Sequence, residues 1–235
     1  MTDDRADSRA DMRHITHWVF DLDDTLYPSD APIMAQVERR MTQYVARLMD
    51  LPETEAKVVQ KSYWRDYGTT LNGLMANHTI DVHEFLDFVH DVDATVIKPD
   101  PDLARHIAAL PGKRLVYTNG SLKHAENILD HMGLTHLFND IFDVEASGFQ
   151  PKPLQAGFDR FIGHHALPAH EAVFFEDSLR NLKTAHAMGF TTVLVRAKAG
   201  TRSEDVAMAD EHPDHIHHAI DCLPTFLGDV RVRES

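Results

Sequence analysis

Seven polar side chains stand at or near the ends of predicted strands, and their types suit chemistry on a charged substrate. They are Asp21, Asp23, Thr118, Asn119, Lys152, Glu176 and Asp177. Asp21 and Asp23 directly follow the apolar run 17–20, and the others follow or lie between later apolar runs. In open parallel sheets, ligands bind beyond the carboxyl ends of the strands. We therefore expect these seven side chains to form one site.

The residue types in this set predict phosphoryl transfer assisted by Mg²⁺. Several carboxylates that meet at one point repel each other unless a cation neutralises them, and hard oxygen ligands suit Mg²⁺. Lys152 and the hydroxyl of Thr118 add hydrogen-bond donors for an anion. In phosphoryl transfer, positioning and charge neutralisation do most of the catalysis. A carboxylate can also act as the nucleophile and form an aspartyl-phosphate.

Strand-like and helix-like patterns alternate along most of the chain, which predicts the sheet that positions these side chains. Short apolar runs at 17–20, 115–117, 141–144, 172–175 and 191–195 are typical of buried strands. From residue 100 onward, segments with helical spacing separate these runs. Repeated strand–helix units favour an α/β fold with a doubly wound, Rossmann-like parallel sheet.

The domain organisation follows from where this alternation is interrupted. We expect a discontinuous core domain over residues 14–28 and 99–228, with an inserted, all-helical domain over residues 29–98. Residues 1–13 show no apolar period and are predicted to be a disordered leader. Residues 229–235 are expected to form a short tail.

The inserted block has one predicted break in its helical pattern. Gly68 follows an amphipathic segment that ends at Tyr67, and Thr70 lies just beyond it. Glycine permits the backbone to approach a ligand closely. Tyr67 and Thr70 are therefore candidates for contact with a substrate.

The composition excludes several classes of partner. The chain has 235 residues, with 23 Lys plus Arg against 37 Asp plus Glu, a formal net charge of −14. This charge gives no general attraction to nucleic-acid polymers or anionic membranes. The first residues lack the layout of a signal peptide, and no apolar run approaches the roughly 20 residues needed to cross a bilayer. We therefore expect a cytoplasmic monomer or weak homodimer that acts on a small molecule.

The single cysteine and the histidines are assigned no chemistry. Cys222 stands among apolar residues and is predicted to be buried rather than reactive. Four histidines cluster near the end of the chain, namely His212, His215, His217 and His218. They could bind a transition metal, but no carboxylate or thiolate pattern completes a site. We interpret this cluster, and the pair His164 and His165, as solvated surface.

The polar set resembles the four motifs of the haloacid dehalogenase-like (HAD) superfamily. Residues 20–26, with the sequence FDLDDTL, are similar to the first motif. Thr118, Lys152 and the carboxylate pair 176–177 match the second, third and fourth motifs in order and approximate spacing. The resemblance covers about residues 15–228. The helical insertion resembles the C1-type cap of that superfamily.

This resemblance implies roles for the acidic and polar residues. Asp21 would be the nucleophile that attacks phosphorus. Asp23 would protonate the departing oxygen and then activate the hydrolytic water, and its nearness to other carboxylates is expected to help it hold a proton. Thr118 would donate a hydrogen bond to the phosphoryl oxygens, and Lys152 would offset negative charge on the nucleophile and the phosphoryl group.

The resemblance also implies a magnesium site and a substrate-binding set. Mg²⁺ would bind the Asp21 side chain, the Asp23 backbone carbonyl and Asp177, with Glu176 as a further ligand. Glu176 departs from the commoner Asp-Asp version of the fourth motif. The substrate-binding set comprises Thr118, Asn119, Lys152, Tyr67 and Thr70.

The expected activity is that of a Mg²⁺-dependent phosphomonoesterase acting on a small phosphorylated metabolite through an aspartyl-phosphate. Residues 21–28, 67–74 and 175–181 resemble the pyrimidine 5′-nucleotidase branch, so a pyrimidine nucleoside 5′-monophosphate is the expected substrate. A sugar-phosphate phosphomutase of the same fold and a non-catalytic, phosphate-sensing or partner-binding protein are the alternatives. A dehalogenase is disfavoured because Asp23 would have no role in that chemistry.

Overall fold

A six-stranded parallel sheet forms the centre of the molecule. The computed structural model describes residues 9–198 and 213–233. The strands are β1 His17–Phe20, β2 Lys113–Tyr117, β3 Asp140–Phe142, β4 Ala172–Glu176, β5 Thr191–Val195 and β6 His218–Ile220. They lie in the order β3-β2-β1-β4-β5-β6, and every pairing is parallel. This order confirms the predicted α/β, doubly wound sheet, with β1 at its centre.

Four helices follow β1 within residues 29–98. They are α1 Ile33–Met49, α2 Glu53–Tyr67, α3 Thr70–Asn77 and α4 Val82–Val89. These helices share a hydrophobic cluster of their own, which includes Tyr44, Leu74 and Phe85. Val144 and Phe149, from the loop after β3, also pack on this cluster. The helical segment is therefore packed against the loop that leads toward Lys152.

Helix α3 is the element of this segment that the sequence does not predict. Its apolar pattern is only eight residues long and contains Gly73, a weak helix former. The helix is stabilised by a cap at its start, where the hydroxyl of Thr69 accepts a hydrogen bond from the backbone N–H of Asn72 at 3.1 Å. Gly73 itself lies against Tyr63 so closely that a Cβ would fall 2.3 Å from the Tyr63 Cβ. A larger residue there would separate α2 from α3.

Five further helices cover the two faces of the sheet. They are α5 Pro101–Ala109, α6 Leu122–Met132, α7 Gln155–His165, α8 Leu179–Ala187 and α9 Leu223–Asp229. Successive side chains of a strand point to opposite faces. Trp18 and Phe20 accordingly pack with α5, α6 and α9, whereas Val19 packs with α7 and α8. Within the described residues, no helix is long and apolar enough to span a membrane.

The two ends of the described chain meet, which corrects part of the predicted leader. The backbone N–H of Met12 donates to the carbonyl of Arg231 at 2.9 Å, and the N–H of Arg231 donates to the carbonyl of Ala10 at 2.9 Å. Met12 is fully buried. Residues 9–13 are therefore held in place by the burial of Met12 and by backbone hydrogen bonds to Arg231. The polar composition of the segment gives no sign of either contact. Residues 1–8 of the predicted leader lie outside the described residues.

Two further predictions about single residues are wrong. Cys222 is exposed rather than buried, because it stands just before α9 and its apolar neighbours turn inward without it. The side chain of His165 is only 7% exposed, so it is not solvated surface. In the C-terminal cluster, His217 is tied to the sheet by a 2.8 Å hydrogen bond between its Nδ1 and the hydroxyl of Thr192. His212 lies outside the described residues.

Candidate active site

The loop after β1 brings Asp21 and Asp23 to the carboxyl end of the sheet. The backbone N–H of Asp21 still pairs with β4, by a 2.9 Å bond to the carbonyl of Phe175. A tight turn follows, in which the N–H of Leu26 donates to the carbonyl of Leu22 at 3.0 Å. The backbone of Asp24 takes the left-handed conformation, with φ of 59°. Such a turn directly after the central strand presents both carboxylates at the strand end.

Lys152 joins three strands at this point. Its ammonium Nζ donates to Oδ1 of Asp21 at 2.6 Å, to the carbonyl of Tyr117 at 2.8 Å and to Oε2 of Glu176 at 2.8 Å. Lys152 is only 2% exposed. Burial lowers its pKa, but the charges of Asp21 and Glu176 outweigh this effect and raise the pKa above its ordinary value. Lys152 is therefore a cation, and it is fully hydrogen-bonded.

Asn119 holds the backbone of Lys152 rather than pointing into open space. Its side-chain Nδ2 donates to the carbonyl of Lys152 at 3.0 Å, and its Oδ1 accepts from the N–H of Lys152 at 2.8 Å. Both ends of the amide are thus used within the protein. The structure brings Asn119 to the site, but in a different role from the expected contact with substrate.

Three carboxylates converge beside Lys152. Oxygen atoms of Asp21, Glu176 and Asp177 all lie within 4.8 Å of one another. Burial, and then the charge of Glu176, raise the pKa of both Asp21 and Asp177 well above the ordinary range. One lysine cannot balance three carboxylates, so the ionised cluster carries excess negative charge. This donor set fits a hard divalent cation such as Mg²⁺.

Glu176 is engaged on both of its oxygens. Oε2 accepts the hydrogen bond from Lys152, and Oε1 accepts from the backbone N–H of Ser178 at 3.2 Å. Asp177, by contrast, lies at the end of β4 without a bond to Lys152. The two neighbouring carboxylates of the fourth motif therefore differ in their contacts: Glu176 bonds to Lys152 and Ser178, whereas Asp177 has no bond to Lys152.

Asp23 has two strong hydrogen-bond donors of its own. The hydroxyl of Tyr27 donates to Oδ1 at 2.6 Å, and Nε2 of His124 lies 2.8 Å from the same oxygen. Burial raises the pKa of Asp23, but the charge of His124 and the hydrogen bonds from His124 and Tyr27 outweigh it, and the pKa falls to about 2. The expectation that neighbouring carboxylates help Asp23 to hold a proton is therefore wrong for the metal-free protein.

His124, His90 and Tyr27 are site residues that the sequence does not single out. His124 is buried in the first turn of α6, and its ring stacks on the ring of His90 at 4.5 Å between centroids. Nδ1 of His90 lies 2.9 Å from the hydroxyl of Ser121, the N-cap of α6. Burial and the charge of His124 lower the pKa of His90 to about 3. The signal available in the sequence is His124 itself, a polar residue on the apolar face of a helix that begins at Leu122, four residues after Thr118.

Thr118 lies between this group and the strand end. It is buried, and its Oγ1 accepts a hydrogen bond from the N–H of Gly120 at 2.9 Å. A Cβ at position 120 would lie 3.3 Å from that oxygen and 3.8 Å from Oδ2 of Asp23. Glycine at position 120 therefore leaves space in front of both Thr118 and Asp23.

Tyr67 and Thr70 are not brought to the carboxylates. Thr70 is buried in the first turn of α3, and Tyr67 packs edge-on against Tyr63 at 5.9 Å between ring centroids. Among the described residues, no hydrogen bond joins either side chain to the site. Trp64 in α2 contacts the core instead, because its ring centroid lies 4.6 Å from the guanidinium carbon of Arg180 in α8.

Fold and site together define a doubly wound α/β protein with a carboxylate–lysine centre at the carboxyl ends of its strands. The family model of the haloacid dehalogenase-like hydrolases matches residues 15–189. The chain belongs to that family. The match runs from just before β1 to the end of α8 and so includes all four predicted motifs.

Known proteins share this fold at low sequence identity. The chain is 25% identical over 199 residues to Phosphate metabolism protein 8 of Saccharomyces cerevisiae; the match covers 74% of this chain and 60% of that protein. A HAD phosphatase from Thermococcus onnurineus is similar with a TM-score of 0.61 at 19% identity, over 93% of this chain and 100% of that chain. The HAD-hydrolase YfnB from Bacillus subtilis, bound to magnesium, is similar with a TM-score of 0.58 at 18% identity. The match covers 92% of this chain and 98% of that chain. L-2-haloacid dehalogenases have the same fold.

Proposed function

We propose that the protein is a Mg²⁺-dependent phosphomonoesterase that forms an aspartyl-phosphate on Asp21. The observation that carries this proposal is the arrangement around Lys152, which pairs with Asp21 and Glu176 while Asp177 lies within 4.8 Å of both. Such a site combines a nucleophile with the charge compensation that a phosphoryl group requires. Asp23, two residues beyond the nucleophile, supports a phosphatase over a dehalogenase, because phosphate-ester cleavage needs a proton for the leaving oxygen.

Each residue of the site has its own role in the proposed reaction. Asp21 attacks phosphorus, and the bond between phosphorus and the leaving oxygen breaks. The leaving oxygen takes a proton held by the pair of Asp23 and His124, whose Oδ1 and Nε2 are 2.8 Å apart. Asp23 then accepts a proton from the water that attacks the aspartyl-phosphate, which releases inorganic phosphate and restores Asp21. Thr118 donates a hydrogen bond to the phosphoryl oxygens.

The side chains of Asp21 and Asp177, together with the backbone carbonyl of Asp23, would hold the Mg²⁺ ion. When bound, Mg²⁺ would neutralise the carboxylates and the charge of the phosphate ester. Glu176 would orient Lys152 and Ser178, as its two hydrogen bonds indicate. If Asp177 binds the ion and Glu176 only orients its neighbours, a glutamate can replace the commoner aspartate at position 176.

The proposed substrate is a pyrimidine nucleoside 5′-monophosphate, and residues 29–98 would act as a C1-type cap. The similarity of residues 21–28, 67–74 and 175–181 to pyrimidine 5′-nucleotidases supports this substrate. The stacking of Trp64 on Arg180 supports the cap, because it places α2 over the helix that follows Asp177. A relative named for phosphate metabolism agrees with the class of reaction. A cap in this position would exclude water and select the leaving group.

A panel of phosphate esters tests the proposal directly. We expect release of inorganic phosphate in the presence of Mg²⁺ and none with excess chelator, with UMP and CMP hydrolysed faster than AMP, GMP and sugar phosphates. Phosphate release is measured colorimetrically, and products are separated by chromatography. An isomerised sugar phosphate without free phosphate would identify a phosphomutase. A panel with no turnover would contradict the enzymatic proposal.

Replacing His124 by Gln tests the role of the proton-holding pair. Asp23 would lose one of two donors, so its pKa should rise from about 2, and kcat should fall about 10–100-fold with little change in KM. His131→Gln is the matched control, because Nε2 of His131 bonds to the backbone carbonyl of Ile97 at 2.9 Å, on the same helix but away from Asp23. Wild-type kcat in His124→Gln would show that His124 has only a structural role.

A further inference from the structure

A second group of possible metal ligands lies away from the active site, at the amino-terminal end of β3. Ligand atoms of Asp140, His164 and His165 all lie within 4.8 Å of one another. Helix α7 begins three residues after Lys152, and its 11 residues carry the chain about 16 Å from that point to His165. The group is therefore separate from the carboxylates around Lys152.

The three side chains are held in place by the surrounding structure. Asp140 begins the edge strand, and its Oδ1 accepts from the N–H of Ile141 at 2.9 Å, which leaves Oδ2 turned toward the histidines. The ring of His165 lies edge-on to Phe161 and Phe142, at 4.8 and 6.0 Å between centroids. Ala166 closes α7 in the left-handed conformation and fixes the last turn. Little rearrangement would be needed to bind a ligand.

The ring nitrogen Nε2 of His165 has no hydrogen-bond partner among the described residues. The side chain of His165 is 7% exposed, and this nitrogen is buried. A buried polar atom without a partner is costly and calls for an explanation.

The distances suit a tetrahedral transition metal. Oδ2 of Asp140 lies 3.3 Å from Nε2 of His164 and 3.8 Å from Nε2 of His165. Ligands at about 2.0–2.1 Å from a tetrahedral Zn²⁺ ion lie about 3.3 Å from each other. We propose that Asp140, His164 and His165 form a Zn²⁺ site, with water as the fourth ligand on the exposed side of His164. The ion would tie the end of α7 to the edge strand β3.

Titration of the 235-residue protein with Zn²⁺ in saturating Mg²⁺ tests this site. Magnesium in excess would compete for the hard carboxylate site, so the zinc binding that remains would report on softer ligands. We expect one equivalent of Zn²⁺ by calorimetry, a tetrahedral absorption spectrum with Co²⁺, and a rise in melting temperature with added Zn²⁺. His164→Gln, whose parent side chain is 56% exposed, and Asp140→Asn should each weaken binding at least about tenfold.

His170→Gln is the matched control, because the side chain of His170 is 80% exposed and lies outside the group. Retention of the zinc equivalent in this variant, with its loss in the other two, supports the site. Three outcomes would overturn it: no zinc equivalent in the wild type, unchanged binding in His164→Gln and Asp140→Asn, or an equal loss in His170→Gln. None of these results depends on phosphatase activity, so the zinc site and the proposed function are tested separately.

Discussion

Replacing Asp21 by Asn is expected to lower kcat for phosphate release by at least about 10⁴-fold, because the nucleophile is removed. The same change should leave the metal-free protein at least as stable as the wild type. The pKa of Asp21 is raised on folding by burial and by Glu176, so the ionised carboxylate destabilises the folded state. Asparagine removes that charge and can still accept the hydrogen bond from Lys152. Steady-state kinetics and chelator-treated thermal melts measure the two effects.

The matched control for this variant is Asp24→Asn. It removes the same charge from the same loop, and asparagine also adopts the left-handed backbone found at Asp24. We expect its kcat to stay within about tenfold of the wild-type value, as for a substitution outside the reacting groups. If Asp21→Asn retained wild-type turnover, Asp21 would not be the nucleophile. If neither the wild type nor the variant released phosphate, the non-catalytic alternative would be favoured.

Replacing Lys152 by Met is expected to cause the largest loss of stability in the site, together with a severe loss of activity. The variant would leave Asp21 and Glu176 buried without their shared cation. Removing one partner of a buried ion pair costs about 3–5 kcal/mol. We expect this decrease in the free energy of unfolding at pH 8 in the metal-free protein, measured by urea denaturation. Turnover should fall by about 10²–10³-fold, because a charged donor to the nucleophile is lost.

The stability loss in Lys152→Met should depend on pH. The pKa values of Asp21 and Asp177 are already raised above the ordinary range, and removal of the lysine raises that of Asp21 further. A carboxyl whose pKa is higher in the folded state favours folding when protonated, so the deficit should shrink as the pH falls from 8 toward 5. Added Mg²⁺ should restore part of the melting temperature without restoring turnover.

Lys123→Met is the matched control for this prediction. Lys123 also pairs with a carboxylate, Asp87, at 2.7 Å, but both side chains are largely exposed. Exposed ion pairs contribute little to stability. We expect no measurable change in unfolding or in its pH dependence. Equal effects of the two lysine variants would contradict the interpretation of Lys152 as a buried counter-ion.

The sequence predicts the sheet well because strand formation leaves a local signal. Strands β1, β4 and β5 each contain an uninterrupted run of at least three apolar residues, which is typical of strands buried on both faces. Asp21, Thr118 and the pair 176–177 come at the ends of the β1, β2 and β4 runs, so their position at the strand ends could be predicted from order alone. The short edge strand β6 and helix α3 were missed, because three to eight residues give too weak a period.

The sequence by itself determined which residue types gather at the carboxyl ends of the strands. Only the tertiary structure decided which of these side chains contact each other. His124 and Asp23 are 101 positions apart, and they meet because β1 and β2 are neighbours in the sheet. In the same way, β3 supplies Asp140 to two histidines at the end of α7. The spacing of apolar residues along the chain indicates which helix or strand a residue belongs to. The residues it contacts from other elements are set by strand order and packing, and a local sequence pattern carries no information about these.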